Sequence, residues 1–508
     1  MTRSTLGYAD FLLGIPQSST RLDPLTNRTR TNKEWGLFIT DTYKLSSRLT
    51  LDFGLRYDYY ALPTFTDGLM FNWDRATNTV NVTPEGRNRL HPLYPANIKI
   101  GTGPVVPVPD KKNIRPRLSA AYRLTDKLVF RGGYGTFTER IDYFARVLTG
   151  GPFQISENYQ NVIAPSGGAL FNFPNPYPVN LASAGIPSQN ITGFPIQTDN
   201  GTIHQFNFSI ERDWHGLGLR TSYIGSRGIG QNYNIGINKP LPSVTAFAQS
   251  RRPFPEFVGA SEARSDGQTK YDSFQLQAQK RMGDFTFNAH WTISSSLANF
   301  LNLENPYAVT DKWARQSGDR RQYAVITSTW RLPVGRGKKL LGGAPAVVDH
   351  ILGGWIVNTM SYFGSGFFFT PSFSGSDPSN TNTVGGIPDR IANGNLPSGE
   401  RDYKRWFDAS AFRVPQPGTF GNSGPNVLVG QGLNVHHFAT SKRFRITERL
   451  STTFTSQISD IFNTPHFNLP TSNISVPATV GQFTGVVSDF ESEKANGRRI
   501  AFLLRVEF

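Results

Sequence analysis

No cysteine occurs among the 508 residues, which excludes disulfides, thiol nucleophiles and cysteine-based metal sites. Such an absence suits an exported chain that avoids stray oxidation. Long apolar runs are missing too: the greasiest stretches, GSGFFFTP (364–371) and GGWIVNTM (353–360), are broken by Gly, Pro or polar residues. Neither approaches the roughly 20 residues of a membrane-crossing helix. A helical membrane protein is therefore excluded, whereas a membrane β-barrel is not, because its strands alternate lipid-facing and lumen-facing side chains and average to a near-polar composition. The opening MTRSTLGYADFLLGIPQS has one Arg and only a short apolar stretch before Gly14 and Pro16, so no secretory signal is legible. The expectation is a cytosolic chain or one whose N-terminus is missing.

Catalytic signatures are also lacking. There is no Gly-x-Ser-x-Gly elbow, and VGRGKKLLGG (334–343) has neither the spacing nor the Ser/Thr after Lys of a phosphate loop, so it reads as a basic turn or loop. The carboxylates form no pair that spacing alone would reveal. His436 and His437 are adjacent, and on a strand adjacent side chains point to opposite faces, so they cannot chelate one metal. RGGYG (131–135) lies inside an alternating stretch and reads as strand, with Gly permitting close packing. No enzyme activity, catalytic residue, cofactor or metal site is expected.

What is abundant is aromatic residues (13%), 49 Gly and 34 Pro, the composition of many strands and turns. Alternation of period two recurs from end to end. In EWGLFITDTYKLSSRLTLDFGLRYDYY (34–60), Leu49, Leu51, Phe53, Leu55, Tyr57 and Tyr59 share one face; Arg48, Thr50, Asp52, Gly54, Arg56 and Asp58 share the other. Similar hairpins are read at 114–137, 202–225 and 271–296, with turns at TDK, His215-Gly216 and Gly283-Asp284. Further pairs join RQYAVITSTWRL to ILGGWIVNTMSYF, and VHHFATSKRFRI to LSTTFTSQISDIF. About thirteen long strands result, several near the length that crosses a bilayer when tilted. Short turns alternate with long segments, 61–113, 138–202, 227–270 and 365–433, rich in Pro, Gly, Asn and Ser. Loops this long count against a compact soluble domain and suit the extracellular side of an outer-membrane barrel. Aromatics near strand ends suit the lipid–water boundary. Alternation by itself leaves open which face is outside; strand length, loop asymmetry and charge on one face favour apolar residues outward and polar residues in the lumen.

Lys and Arg exceed Asp and Glu by 52 to 37, a formal +15. The basic residues are dispersed rather than clustered in a stripe, which argues against nucleic acid. Near loop bases they can meet lipopolysaccharide phosphates, and inside a lumen they favour anionic solutes. The chain closes on RRIAFLLRVEF, where Ile500, Phe502, Leu504, Val506 and the terminal Phe508 fall on one face. This resembles the C-terminal signal by which the barrel-assembly machinery of bacterial outer membranes recognises its clients, with the last strand augmenting a sheet edge.

YADFLLGIPQS, WGLFITDTYKLSSRLTLDFGLRYDYY, NIRPRLSAAYRL, YDSFQLQAQKRM, RWFDASAF, GTFGNSGPNVLVGQG and SDIFNTPHFN together resemble the C-terminal barrel of Oar-like TonB-dependent receptors, in the family's order. The resemblance implies an all-β fold, an antiparallel transmembrane β-barrel forming the C-terminal portion of a 22-stranded receptor barrel, with long extracellular loops. It implies a leading loop or strand segment at 1–30 and the barrel at 31–508, in the outer membrane of a Gram-negative bacterium. Partners would be outer-membrane lipid and lipopolysaccharide, the barrel-assembly machinery, an unknown ligand captured by the loops, and TonB. The signal peptide, regulatory-like domain, TonB box and plug of such receptors are not found here, so TonB would act only through a plug outside this sequence. Two other readings stay open: a surface-exposed or secreted β-rich adhesion or glycan-binding protein, favoured by aromatic-bearing loops such as RDYKRWFDASAF, and a nonfunctional receptor fragment.

Overall fold

The computed structural model describes residues 7–23, 28–140, 151–161, 169, 171–177, 189–197, 199–487 and 497–508. Thirteen strands form one antiparallel path. They are β1 (Glu34–Lys44), β2 (Leu49–Tyr60), β3 (Ile114–Thr125), β4 (Leu128–Glu139), β5 (Gly201–Trp214), β6 (Leu217–Gly236), β7 (Gly259–Met282), β8 (Phe285–Ala298), β9 (Gln322–Arg331), β10 (Ile356–Gly364), β11 (Leu433–Arg445), β12 (Ser451–Ser459) and β13 (Arg499–Glu507). Each pairs with its sequence neighbour, a meander whose shortest members have nine residues, the lower limit for crossing a bilayer at a tilt. The hairpin turns follow from local chemistry. His215 and Gly216 both take positive φ (51° and 73°), the conformation that joins twisted strands through two residues, and Gly283 at φ 55° does the same before β8.

The register settles which side chains share a face, because directly opposed residues point the same way. Tyr43 opposes Leu51, and Phe53 opposes Leu118. Leu118 opposes Tyr134, and Tyr134 opposes Phe206. The same face continues through Tyr223 to Phe274 and Ile293, through Ala289 to Ile326, and through Phe438 and Ile458 to Ile500. One largely apolar surface thus runs from β1 to β13; on β10 and β11 it is interrupted by Thr359, Ser361, His436 and Lys442, and there Tyr362, Leu433 and Val435 form a small apolar cluster on the opposite face.

Exposure settles which face is outside. Phe208 is 49% exposed and its neighbour Ser209 only 2%; Phe274 is 41% exposed and Ser273 2%. Oily side chains face outward and small polar ones are covered, the reverse of a water-soluble sandwich. From Met282 to Phe274 on β7, eight steps cover about 27 Å along the strand, about 20 Å of height at a tilt of about 40°, most of the roughly 25 Å apolar band of an outer-membrane barrel. Aromatics border the band on both sides: Tyr43, Tyr122, Trp214 and Trp330 toward the short turns, and Trp35, stacked on Tyr59 at 5.5 Å, toward the long loops.

The opposite face carries ion pairs. Glu211 bridges Arg131 (3.3 Å) and Arg220 (3.6 Å), and Glu507 bridges Arg443 (3.0 Å) and Arg505 (3.2 Å). Asp52 accepts from Thr42 Oγ1 (2.7 Å) and Ser119 Oγ (2.9 Å), binding three strands together. Two arginines share each glutamate, so this face keeps a positive surplus. His436 and His437 do leave opposite faces, His436 against Ser361 Oγ and His437 against the Tyr362 ring.

Two expectations need correction. The segment 227–270 is not a loop: β6 and β7 have 20 and 24 residues, far beyond the bilayer, and only 237–258 connects them. The β9–β10 connection, on the short-turn side, is long and contains a helix, Ala346–Leu352. In the leading 1–30 stretch, Ser18–Asp23 pairs with Ile155–Gln160 outside the large sheet, and 1–6 and 24–27 lie outside the described residues.

Because Ile326 faces outward at mid-band while Thr327 faces inward, Ile326→Arg is expected to destabilise the membrane-inserted protein by about 2–4 kcal/mol, and Thr327→Arg by about 1 kcal/mol or less. Denaturant titration in lipid vesicles distinguishes them; equal costs would refute the assigned faces.

Candidate functional site: a folded extracellular cap and its cleft

The long connections are not structureless. Phe71, Trp73, Val80, Val82, Ile98, Phe153, Ile191, Tyr233, Ile235 and Phe257 are buried together, so the largest apolar core among the described residues lies beyond the membrane band. It forms where segments from 61–113, 151–161, 189–197 and 237–258 pack on the projecting ends of β6 and β7. Asn190–Gly193 adds to β7 as a parallel strand, and Phe71–Asp74, Thr79–Val82 and Ile100–Thr102 make a small sheet of their own. Trp73 sits edge-on to Phe254 (4.6 Å) and Phe257 (5.9 Å).

Irregular backbone can be buried only if its polar groups are met, and asparagines meet them here. Asn72 donates to Phe194 O (3.0 Å) and accepts from Phe194 N (3.1 Å). Asn238 donates to the carbonyls of Phe254 (3.0 Å) and Phe257 (2.8 Å) and accepts from Phe254 N (2.9 Å). These two amides each stand in for missing ladder partners.

A clasp joins three connections. Lys239 Nζ donates to Glu304 O (2.8 Å), Tyr307 Oη donates to Lys239 O (2.6 Å), and Ile387 N donates to Glu304 Oε2 (2.8 Å). Burial raises the Glu304 carboxyl above the ordinary range and lowers the Lys239 ammonium, each only partly offset by the other.

Beside the clasp, a cleft of about 400 Å³ opens between 299–321 and 365–432. Trp313, 36% exposed, lies on its wall with Lys270 Nζ over the ring at 3.9 Å. Asn302, Asn305 and Asn422 line it, and each spends its Oδ1 on a backbone N–H, of Glu304 (3.3 Å), Tyr307 (3.0 Å) and Arg390 (2.8 Å). Among the described residues nothing accepts from their Nδ2 groups, which remain as fixed donors. Asn426, at φ 57°, instead donates to Arg315 O (2.6 Å) and holds the two walls together. The far wall is the GNSGPNV part of GTFGNSGPNVLVGQG. The cleft suits a ligand with many acceptor oxygens and a flat apolar side.

The sequence-designated C-terminal residues are far from this cleft. Phe502 (71%), Leu504 (65%), Val506 (52%) and Phe508 (101%) are exposed on the outer face of the last strand. None of the cleft residues was singled out from sequence; the only signal was GTFGNSGPNVLVGQG, read as framework.

The sequence matches the outer membrane beta barrel domain family over residues 1–500, and the chain belongs to that family. The protein is therefore a β-barrel protein of the bacterial outer membrane. No curated protein sequence matches it. Among solved structures, it is similar to a siderophore receptor from Acinetobacter baumannii (11% identity, 94% of this chain and 43% of that chain, TM-score 0.41). It is also similar to a copper transporter (11%, 96% and 52%, 0.43) and to the ferripyoverdine receptor of the Pseudomonas aeruginosa outer membrane (8%, 94% and 39%, 0.44). The chain spans about half, or less, of the length of each.

Trp73→Ala is expected to loosen the cap by about 3–5 kcal/mol while the sheet stays intact, seen as lost hydrogen-exchange protection at 71–82 but not in β8 or β9. Because the folded clasp binds a proton on Glu304 more tightly than an unfolded chain does, its stability falls as pH rises from the ordinary glutamate range through the raised value. Limited proteolysis of 365–432 should quicken across that window, and Glu304→Gln should flatten the slope.

Proposed function

We propose that this chain is the lipid-facing wall and ligand-capturing cap of a TonB-dependent receptor that imports its ligand across the outer membrane. The cleft between 299–321 and 365–432 is the capture site in this reading, and it is the observation that carries it. A part-exposed indole and three asparagines whose amide oxygens are already bonded to backbone line a cleft built into the folded cap, the arrangement of a preformed ligand site. The ligand class that fits is an oxygen-rich solute with one flat face. The basic surplus on the polar face supports passage of anionic or acceptor-rich cargo. Import energised by TonB would act through a plug seated against that polar face.

The division into a leading segment (1–30) and a barrel region (31–508) belongs to the same proposal, as does recognition of Phe502, Leu504, Val506 and Phe508 by the barrel-assembly machinery. Lipopolysaccharide contact at the loop bases is a further part of it.

The chain should fractionate with outer membranes and resist carbonate extraction; recovery in a soluble fraction would overturn the reading. Purified chain in detergent, probed with a panel of oligosaccharides and ferric siderophores, should bind members of one class, and Trp313→Ala should weaken that binding roughly tenfold. Binding indifferent to Trp313→Ala would remove the cleft as the capture site.

A further inference from the structure

The β9–β10 connection, residues 332–355, lies on the outside of the wall. Lys442 and Phe444 on β11 and Phe454 on β12 all belong to the outward face by register, since Lys442 opposes Phe454 and Phe454 opposes Leu504. The connection packs on these three. Lys442 Nζ donates to the carbonyls of Gly353 and Asp349, the His350 ring meets Phe444 at 5.6 Å, and Trp355 meets Phe454 at 6.3 Å. The Ala346–Leu352 helix therefore rests against the oily side of the barrel at its short-turn rim, which is the periplasmic rim.

Its solvent-facing side is apolar. Val347 is 71% exposed, Ile351 56% and Leu352 46%. Val347 and Ile351 are one helical turn apart and lie on the same side. Just before the helix, Arg336, Lys338 and Lys339 are exposed. Lys338 pairs with Asp284 (3.0 Å), whereas Arg336 and Lys339 meet no carboxylate among the described residues. Asp349, the one acid of the helix, is turned inward and spends Oδ1 on the Arg336 backbone N–H (2.6 Å). An apolar helical side flanked by unneutralised cations at the level of the headgroups is the chemistry of an interfacial anchor.

We propose that residues 332–355 form a collar that lies in the periplasmic leaflet, with Val347 and Ile351 in the acyl region and Arg336 and Lys339 holding an anionic phospholipid headgroup. The inference also accounts for Lys442. A lysine on the lipid face is costly unless its charge is met, and the collar meets it with two carbonyls while covering it.

The absence of cysteine makes the test direct. Single substitutions Val347→Cys, Ile326→Cys and Val384→Cys are labelled with a polarity-sensitive fluorophore and the full chain is reconstituted in phospholipid vesicles. Ile326 reports the barrel wall itself and Val384, in the cap, reports water. The Val347 label is expected to be quenched by lipids brominated near the glycerol end of the acyl chain and shielded from aqueous iodide. Brominated phosphatidylglycerol should outperform brominated phosphatidylcholine by roughly fivefold per basic side chain, and Arg336→Gln with Lys339→Gln should abolish that preference. If the Ile326 label is quenched from the bilayer centre while Val347 behaves like Val384, the collar is refuted and the barrel stands. Equal quenching of Val347 by the two brominated lipids would refute headgroup recognition.

Discussion

A side chain cannot change faces along a paired strand without breaking the ladder, and every other feature of this protein follows from that rule. Apart from register shifts at Leu128/Val129 and between Ile229 and Tyr233, both toward strand ends, the thirteen strands keep one parity, so a single decision between oil and water is made for the wall of the sheet at once. Outward phenylalanines, leucines and tyrosines demand hydrocarbon, while the paired arginines and glutamates opposite demand a wet interior. Where the rule is strained, the structure compensates locally. Arg227 and Tyr223 on the outward face both bond Asp272, at 2.8 and 2.5 Å, near the outer rim where headgroups begin.

Outside the bilayer the constraint lifts, and the chain builds a different kind of order. The cap buries tryptophan and phenylalanine in the ordinary aqueous manner, with asparagine side chains standing in for strand partners. Two solvents thus act on one chain, and each selects its own core: the wall packs against lipid tails, the cap against itself.

This division explains what could be read in advance. Phe53 and Arg56 were assignable to faces because lipid enforces a strict period of two, and the same holds for Phe285 through Ile293. The projecting parts of β6 and β7, SRGIGQNYNIG and GASEARSDGQTK, escaped because they are rich in polar and small residues and their register shifts between Ile229 and Tyr233, which leaves only Tyr233 and Ile235 as an apolar alternation. The cleft was illegible for another reason. Asn302, Asn305 and Trp313 come from one connection and Asn422 from another, more than a hundred residues on, and only the fold brings the two walls together. The collar helix, APAVVDHIL, is too short for its periodicity to stand out. The terminal Phe508 was conspicuous in sequence and is fully exposed in the structure, yet the fold by itself assigns it no partner.

β6 runs from the turn at His215-Gly216, and β7 from the turn at Gly283, to the heart of the cap, where Ile235 and Ala260 are buried, with register shifts between them only around Gln231. They are a pair of masts stepped in the hull. A load applied to the cap is carried down them as tension along hydrogen-bonded backbone, which stretches little, instead of being absorbed by slack tethers. Whatever lands on the outer surface is mechanically coupled to the wall beneath it, and the cap can rock only as far as those two masts bend.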